Sequence, residues 1–208
     1  MKHITLFDTG GDGNVLLDNM RLLGVDPAAV DRVILSHIHG DHTGGLERFL
    51  KLNSKVIVYV PESFPLSFQQ NIESYGAKIK TVSQMTRLFD QAYSSGEMGN
   101  GIREQALILD TSNGLVVITG CAHPGVANMV GKARKTLKKD VYLVMGGFHL
   151  LGIPTRRIKE IIGMLREMGV KKVAPSHCTG EQATVLFQKA WADNFLEGGV
   201  GAVIRLPR

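Results

Sequence analysis

Residues 34–46 of the chain read Ile-Leu-Ser-His-Ile-His-Gly-Asp-His-Thr-Gly-Gly-Leu, and they are the most informative part of the sequence. Three of the seven histidines of the chain fall within these few residues, together with one aspartate. In extended backbone, residues i and i+2 point the same way, so His37 and His39 can hold one ion. After the bend at the following glycine, Asp41 and His42 can face a second ion beside the first.

The donor atoms of this stretch favour a transition-metal centre. Imidazole nitrogen combined with carboxylate oxygen suits zinc, iron or manganese better than calcium. The alternative is a polar loop that is merely rich in histidine. Because several ionisable groups clustered at the end of a strand cost free energy unless something coordinates them, the sequence predicts metal ligation here.

Composition indicates an ordinary globular protein. The chain has 208 residues, of which 44% are hydrophobic and 21% charged. No apolar run reaches the roughly 18 residues of a membrane span, and residues 1–5 show no signal peptide. The two cysteines, Cys121 and Cys178, do not suggest a disulfide framework, and we expect a reducing, cytoplasmic location.

The net charge of +5 leaves several partners open. It is compatible with nucleic acid, with an acidic small molecule, or with a solvated lysine-rich surface. The densest basic stretch, residues 132–139, carries no aromatic side chain on which bases could stack. The charge therefore does not favour nucleic acid, and we expect no membrane partner.

Short apolar runs alternate with amphipathic stretches, a pattern typical of α/β proteins. The predicted strands are residues 4–7, 32–35, 55–60, 106–109, 115–119, 141–145, 170–174 and 201–206. The clearest predicted helix covers residues 155–168, and weaker ones cover 44–51, 126–137 and 181–191. Residues 61–101 have less pattern and are predicted to meander without forming a second domain. We expect a single domain over residues 1–208.

Several motifs together resemble those of the metallo-β-lactamase superfamily. His37-x-His39-x-Asp41-His42, preceded by an Asp-Thr-Gly at residues 8–10, is similar to its signature. Further stretches that resemble its motifs are Thr-Gly-Cys-Ala-His-Pro-Gly at 119–125, Gly-Gly-Phe-His-Leu at 146–150 and Ser-His-Cys-Thr-Gly at 176–180. The set is closest to the metal-dependent hydrolases that resemble dihydropterin-ribofuranosylaminobenzene-phosphate synthase.

This resemblance implies an αββα sandwich with a dinuclear metal site. The six implied ligands form two sets: His37, His39 and His123 for the first ion, and Asp41, His42 and His177 for the second. Asp41 would also orient the attacking hydroxide and shuttle its proton. Zinc is the favoured metal, with manganese and iron as alternatives. The two thiols are interpreted as packing groups or as neighbours of the ligands.

The chain departs from the family pattern in two places. Many members place a bridging aspartate in a Gly-Asp context where this chain has Gly147. His149 could take over as a metal ligand or donate to substrate, or it could be a histidine at the edge of the core. Members also usually begin with a hairpin and further strands. Either the first strands of the N-terminal sheet are absent or the true start lies upstream, and an open sheet edge predicts a homo-oligomer.

The functional expectation is a hydrolase that uses a metal-activated water to cleave a small, anionic ester or phosphoester. A nuclease or phosphodiesterase and a non-catalytic or incomplete member are the alternatives. A flavin-linked redox enzyme or a transferase on the same scaffold is a further class. His39 disfavours the flavin-linked branch, which resembles this chain around the metals but has glutamate in place of one early histidine. Asp8 is expected either to support the histidine loop or merely to start a turn.

Overall fold

The computed structural model describes residues 3–206, which form two compact units divided between Gln84 and Met85. The expectation of a single domain over residues 1–208 stays a prediction. Met1 and Lys2, which belong to the start predicted to lack a signal peptide, lie outside the described residues. Among residues 3–206, no helix is both long enough and apolar enough to cross a membrane.

The first unit is built on a sheet of four parallel strands that follow their order along the chain. The strands are β1 (Ile4–Phe7), β2 (Val30–Ile34), β3 (Ile57–Pro61) and β4 (Lys78–Val82). The connecting helices are α1 (Gly13–Leu22), α2 (Gly40–Thr43), α3 (Leu46–Leu52) and α4 (Leu66–Ser74). Because the strands all run the same way, residues that follow β1 and β2 lie at the same edge of the sheet.

Helix α1 belongs to no predicted element, although its start has a clear physical cause. The Asp12 side chain accepts hydrogen bonds from the backbone N–H groups of Asn14 and Val15, at 2.7 and 3.0 Å. Such a cap contributes about 1 kcal/mol. The helix then packs Met20 into a core shared with Phe49 of α3.

The second unit is built on a mixed sheet of six strands in the order β10-β9-β8-β7-β6-β5. The strands are β5 (Thr86–Phe89), β6 (Ala92–Ser94), β7 (Leu107–Thr111), β8 (Gly114–Thr119), β9 (Val141–Gly147) and β10 (Lys172–Ser176). Strands β8, β9 and β10 are parallel, and the remaining pairs are antiparallel. The helices are α5 (Val126–Leu137), α6 (Thr155–Glu167) and α7 (Glu181–Trp191).

Helix α6 confirms the clearest periodicity in the sequence. Ile158, Ile162 and Leu165 are buried on its apolar face, in a core shared with strands β8 and β9 and with α7. The helix ends before Gly169, which takes a left-handed φ of +76° and donates its N–H to the carbonyl of Arg166.

Two predictions about local structure are wrong. The predicted strand at residues 201–206 does not form. Ile204 and Leu206 instead pack on residues from β8, β9 and β10, so this segment crosses the face of the sheet and does not extend its edge. Residues 61–101 contain α4, β4, β5 and β6, where a meander was expected.

Candidate metal centre

The first histidine cluster follows β2 in the first unit. His37 is fully buried, and its Nε2 lies 3.1 Å from Nδ1 of His39. The rings of His37 and His42 lie 4.1 Å apart. His42 is also buried, and its Nε2 lies 3.4 Å from the carboxylate of the exposed Asp41. The structure therefore brings all four predicted ligands of this stretch together.

Asp8, which follows β1, holds this cluster in place. One of its carboxylate oxygens lies 2.7 Å from Nδ1 of His42, and the other accepts the backbone N–H of Ser36 at 2.6 Å. The Ser36 hydroxyl donates to the same carboxylate at 2.7 Å and lies 2.9 Å from Nδ1 of His37. A proton held on Nδ1 of His42 by Asp8 leaves the lone pair on Nε2, the form in which imidazole binds a metal.

Two glycines let the loop and the β1 end approach each other. A Cβ on Gly45 would lie 2.1 Å from the carbonyl oxygen of Thr9, and one on Gly44 would lie 2.4 Å from that of Gly11. Thr9 in turn donates both its N–H and its hydroxyl to the carbonyl of His42. The two glycines that follow the histidines, Gly44 and Gly45, are thus required by this close backbone contact.

The second cluster lies in the second unit, on loops that follow three adjacent parallel strands. His123 follows β8, His149 follows β9 and His177 follows β10. The rings of His123 and His149 lie 4.3 Å apart. His149 and His177 both have a φ of +52°, in the left-handed region that few residues other than glycine and asparagine adopt readily. Such strain is frequent at functional sites.

Glu104 fixes the loop that carries His123. Its side chain is fully buried, and one carboxylate oxygen accepts the backbone N–H groups of residues 120, 121 and 122 at 3.1, 3.0 and 2.8 Å. The other oxygen accepts the N–H of His123 at 2.8 Å. Sequence reasoning missed this residue, because a lone glutamate before an apolar strand carries no signal that distinguishes it from a surface carboxylate.

The two cysteines of the chain meet beside His149. The sulfur atoms of Cys121 and Cys178 lie 3.2 Å apart, and no disulfide joins them. The hydrogen bond from Cys121, with further hydrogen bonds from His149, lowers the pKa of the Cys178 thiol to about 5, although burial opposes this. The two thiols therefore contact each other and the His149 imidazole, and they do not only fill space in the core.

Gly147, which stands where many relatives have a bridging aspartate, has no room for a side chain. A Cβ there would lie 2.2 Å from the carbonyl oxygen of Gly120 and 2.9 Å from the sulfur of Cys178. The departure from the family pattern therefore reflects how closely β9 approaches the loop after β8. Metal ligation by His37, His39, Asp41, His42, His123, His177 and His149 stays a prediction.

Comparison with known proteins identifies the class. The sequence model of the Metallo-beta-lactamase superfamily matches residues 2–133, more than half of the chain. The chain belongs to this superfamily, and the predicted α/β fold with two sheets is confirmed.

Among individual relatives, one curated protein matches over almost the whole chain. It is the 7,8-dihydropterin-6-methyl-4-(β-D-ribofuranosyl)-aminobenzene-5'-phosphate synthase of Methanocaldococcus jannaschii, 30% identical over 250 aligned residues that cover 99% of this chain and 85% of the relative. The resemblance read from the motifs is thereby confirmed.

Solved structures agree with this assignment. Tm1679, described as a metal-dependent hydrolase of the β-lactamase superfamily, is 28% identical, with a TM-score of 0.83 and coverage of 98% of this chain and 89% of its own. The metallo-β-lactamase fold protein YhfI from Bacillus subtilis, 15% identical with a TM-score of 0.66, covers 98% of this chain and 88% of its own. The second likeness concerns the fold alone.

Proposed function

We propose that this protein is a dinuclear metal-dependent hydrolase that cleaves a small anionic ester or phosphoester. The observation that carries the proposal is the first cluster, where Asp8 and Ser36 hold the imidazoles of His42 and His37 in fixed orientations. Imidazoles whose orientation is fixed by hydrogen bonds from neighbouring side chains are typical of metal sites. Membership of a superfamily that usually binds metals points the same way.

The donor set fits two divalent cations, with zinc favoured over manganese and iron. We propose that His37, His39 and His123 hold the first ion and that Asp41, His42 and His177 hold the second. All six residues follow the carboxyl ends of parallel strands in their own sheets, where α/β proteins place their ligands. When bound, such ions lower the pKa of water towards roughly 7 and polarise the attacked oxygen.

The protein side chains would perform the remaining steps. Asp41, exposed beside His42, accepts a proton from the attacking water and returns it to the leaving oxygen. Asp8 keeps His42 from rotating while this charge moves. A net charge of +5 favours the approach of an anionic substrate over a cationic one. We also propose a cytoplasmic location and self-association through the edge strand β1.

Metal analysis and turnover test this proposal together. Metal-depleted protein reloaded with zinc or manganese should bind two ions per chain and hydrolyse bis-p-nitrophenyl phosphate, releasing p-nitrophenolate. His42→Gln should lose one ion and most of the turnover. The matched control is His3→Gln, because His3 is an exposed histidine paired with Asp31, away from the cluster. A protein that binds no metal, or one whose turnover survives His42→Gln, would contradict the proposal.

The name of the curated relative favours a second candidate. That relative is a synthase, so group transfer onto a phosphorylated ribosyl substrate is the alternative reaction class. Protein that binds two ions per chain but hydrolyses no phosphoester would favour this transfer.

A single light-scattering measurement on the same sample tests the proposed self-association, which a monomeric mass would contradict.

A further inference from the structure

The second unit contains a sulfur-rich cluster next to His177, since a donor atom of His177 lies within 4.8 Å of the donor atom of Cys121. One donor atom from each of Cys121, His149 and Cys178 lies within 4.8 Å of the other two. The two sulfurs are the nearest pair, at 3.2 Å. None of these residues is among the six ligands proposed above for the hydrolytic ions.

We propose that Cys121, Cys178 and His149 bind one thiophilic divalent cation, of which zinc and cadmium are examples. Two thiolates and an imidazole form a donor set that selects such soft or borderline ions over magnesium or calcium. Around a tetrahedral zinc, sulfur and nitrogen ligands stand about 3.5–3.8 Å apart. Only small side-chain movements are therefore needed to bring the two sulfurs and the imidazole nitrogen to the distances at which they would bind an ion.

The backbone around the cluster is already arranged for this role. Glu104 accepts the N–H of Cys121 at 3.0 Å, which fixes the first sulfur. The carbonyl of Cys178 accepts the N–H groups of Leu150 and Leu151, each at 3.2 Å, which ties the loop after β9 to the loop after β10. Ligands held by rigid neighbours in this way lose little entropy when they bind.

Gly147 supplies an independent argument. The absence of a side chain there leaves the space that the Cys178 sulfur uses, since a Cβ would lie 2.9 Å from it. The end of β9 thus carries a glycine beside a thiol pair and beside His149, whose φ of +52° is left-handed. His149 is exposed and Cys178 half-buried, so an ion can reach the cluster from solvent.

Cobalt titration provides a specific readout, because the chain has only two cysteines. A thiolate-to-cobalt charge-transfer band in the near ultraviolet must then come from Cys121 or Cys178. Full-length metal-depleted protein would be titrated with Co²⁺ in the presence of a phosphine reductant. We expect the band in the wild type, its loss in Cys178→Ser and Cys121→Ser, and cobalt affinity weakened at least about tenfold in His149→Asn.

The controls separate this site from the hydrolytic one. His37→Gln and His3→Gln should both keep the sulfur band, whereas only His37→Gln should lose phosphodiester turnover. If the cysteine variants fail to fold, labelling of the wild type decides the matter, because zinc should protect both cysteines from iodoacetamide. Cobalt uptake without the sulfur band, a band that persists in Cys178→Ser, or labelling unchanged by zinc overturns the proposal. Failure of hydrolysis alone leaves these readouts intact and counts only against the proposed function.

Discussion

The two histidine clusters are held by different means. In the first unit the candidate ligands come from one short stretch, residues 37–42, and the side chains of Asp8 and Ser36 orient them. In the second unit the histidines come from three separate loops, and backbone interactions hold them through Glu104, strained φ angles and the close approach at Gly147. A contiguous motif needs side-chain support, whereas a dispersed one depends on how precisely its loops are placed.

The most severe test of this contrast is Glu104→Ala. It leaves three buried backbone N–H groups and one half-buried N–H group without this acceptor, and each buried one costs about 1–3 kcal/mol. We expect the free energy of unfolding to fall by at least about 4 kcal/mol, measured by urea denaturation. Glu47→Ala is the matched control, since Glu47 is an exposed partner of Lys51 and its loss should leave the free energy of unfolding almost unchanged. Equal effects in both variants would contradict the assigned role.

A second test adds a single methyl group at Gly147. Gly147→Ala forces the loop after β8 away from the strand, and we expect a loss of about 3 kcal/mol in unfolding free energy. Gly163→Ala adds the same group inside α6, where nothing lies within 4 Å of the new Cβ. That control should stabilise the protein by about 0.5–1 kcal/mol. An unchanged free energy of unfolding in Gly147→Ala would show that β9 and the loop after β8 are not in tight contact.

A third test concerns the side-chain support in the first unit. Asp8→Asn keeps a residue type that tolerates the φ of +58° but weakens the contacts to His42 and Ser36. We expect zinc affinity to fall about 10–100-fold in competition with a chromophoric chelator, with little change in unfolding. Asp31→Asn, at the exposed partner of His3, should leave the affinity unchanged. Unaltered affinity in Asp8→Asn would assign Asp8 a purely structural role.

The sequence reveals the parts of the fold that depend on local patterns. Strands β8 and β9 are apolar runs with most of their residues buried, and α6 has a clear apolar face and is followed by Gly169. Strand β4 escaped prediction because it lies at the sheet edge and three of its five residues, Lys78, Lys80 and Thr81, are exposed. Residues 202–206 look like a strand, yet whether they pair at an edge or lie across a face depends on distant residues.

In the candidate site, too, local features can be predicted from the sequence and long-range contacts cannot. The motif at residues 37–42 can be recognised in the sequence because its candidate ligands are neighbours along the chain. Glu104 and the meeting of Cys121 with Cys178 are not readable, because both depend on contacts between residues 16 or more positions apart. Pairing of the thiols could be inferred only once the strands β8 and β10 were known to flank β9.

The left-handed backbone at Asp8, His149 and His177 decides how these positions can be probed. Replacing any of them with alanine or valine would remove a functional group and also disturb the local chain conformation, so the two consequences could not be separated. Asparagine accommodates that conformation and is therefore the informative replacement. An alanine scan of this protein would overstate the chemical importance of these three residues relative to His37 and His39.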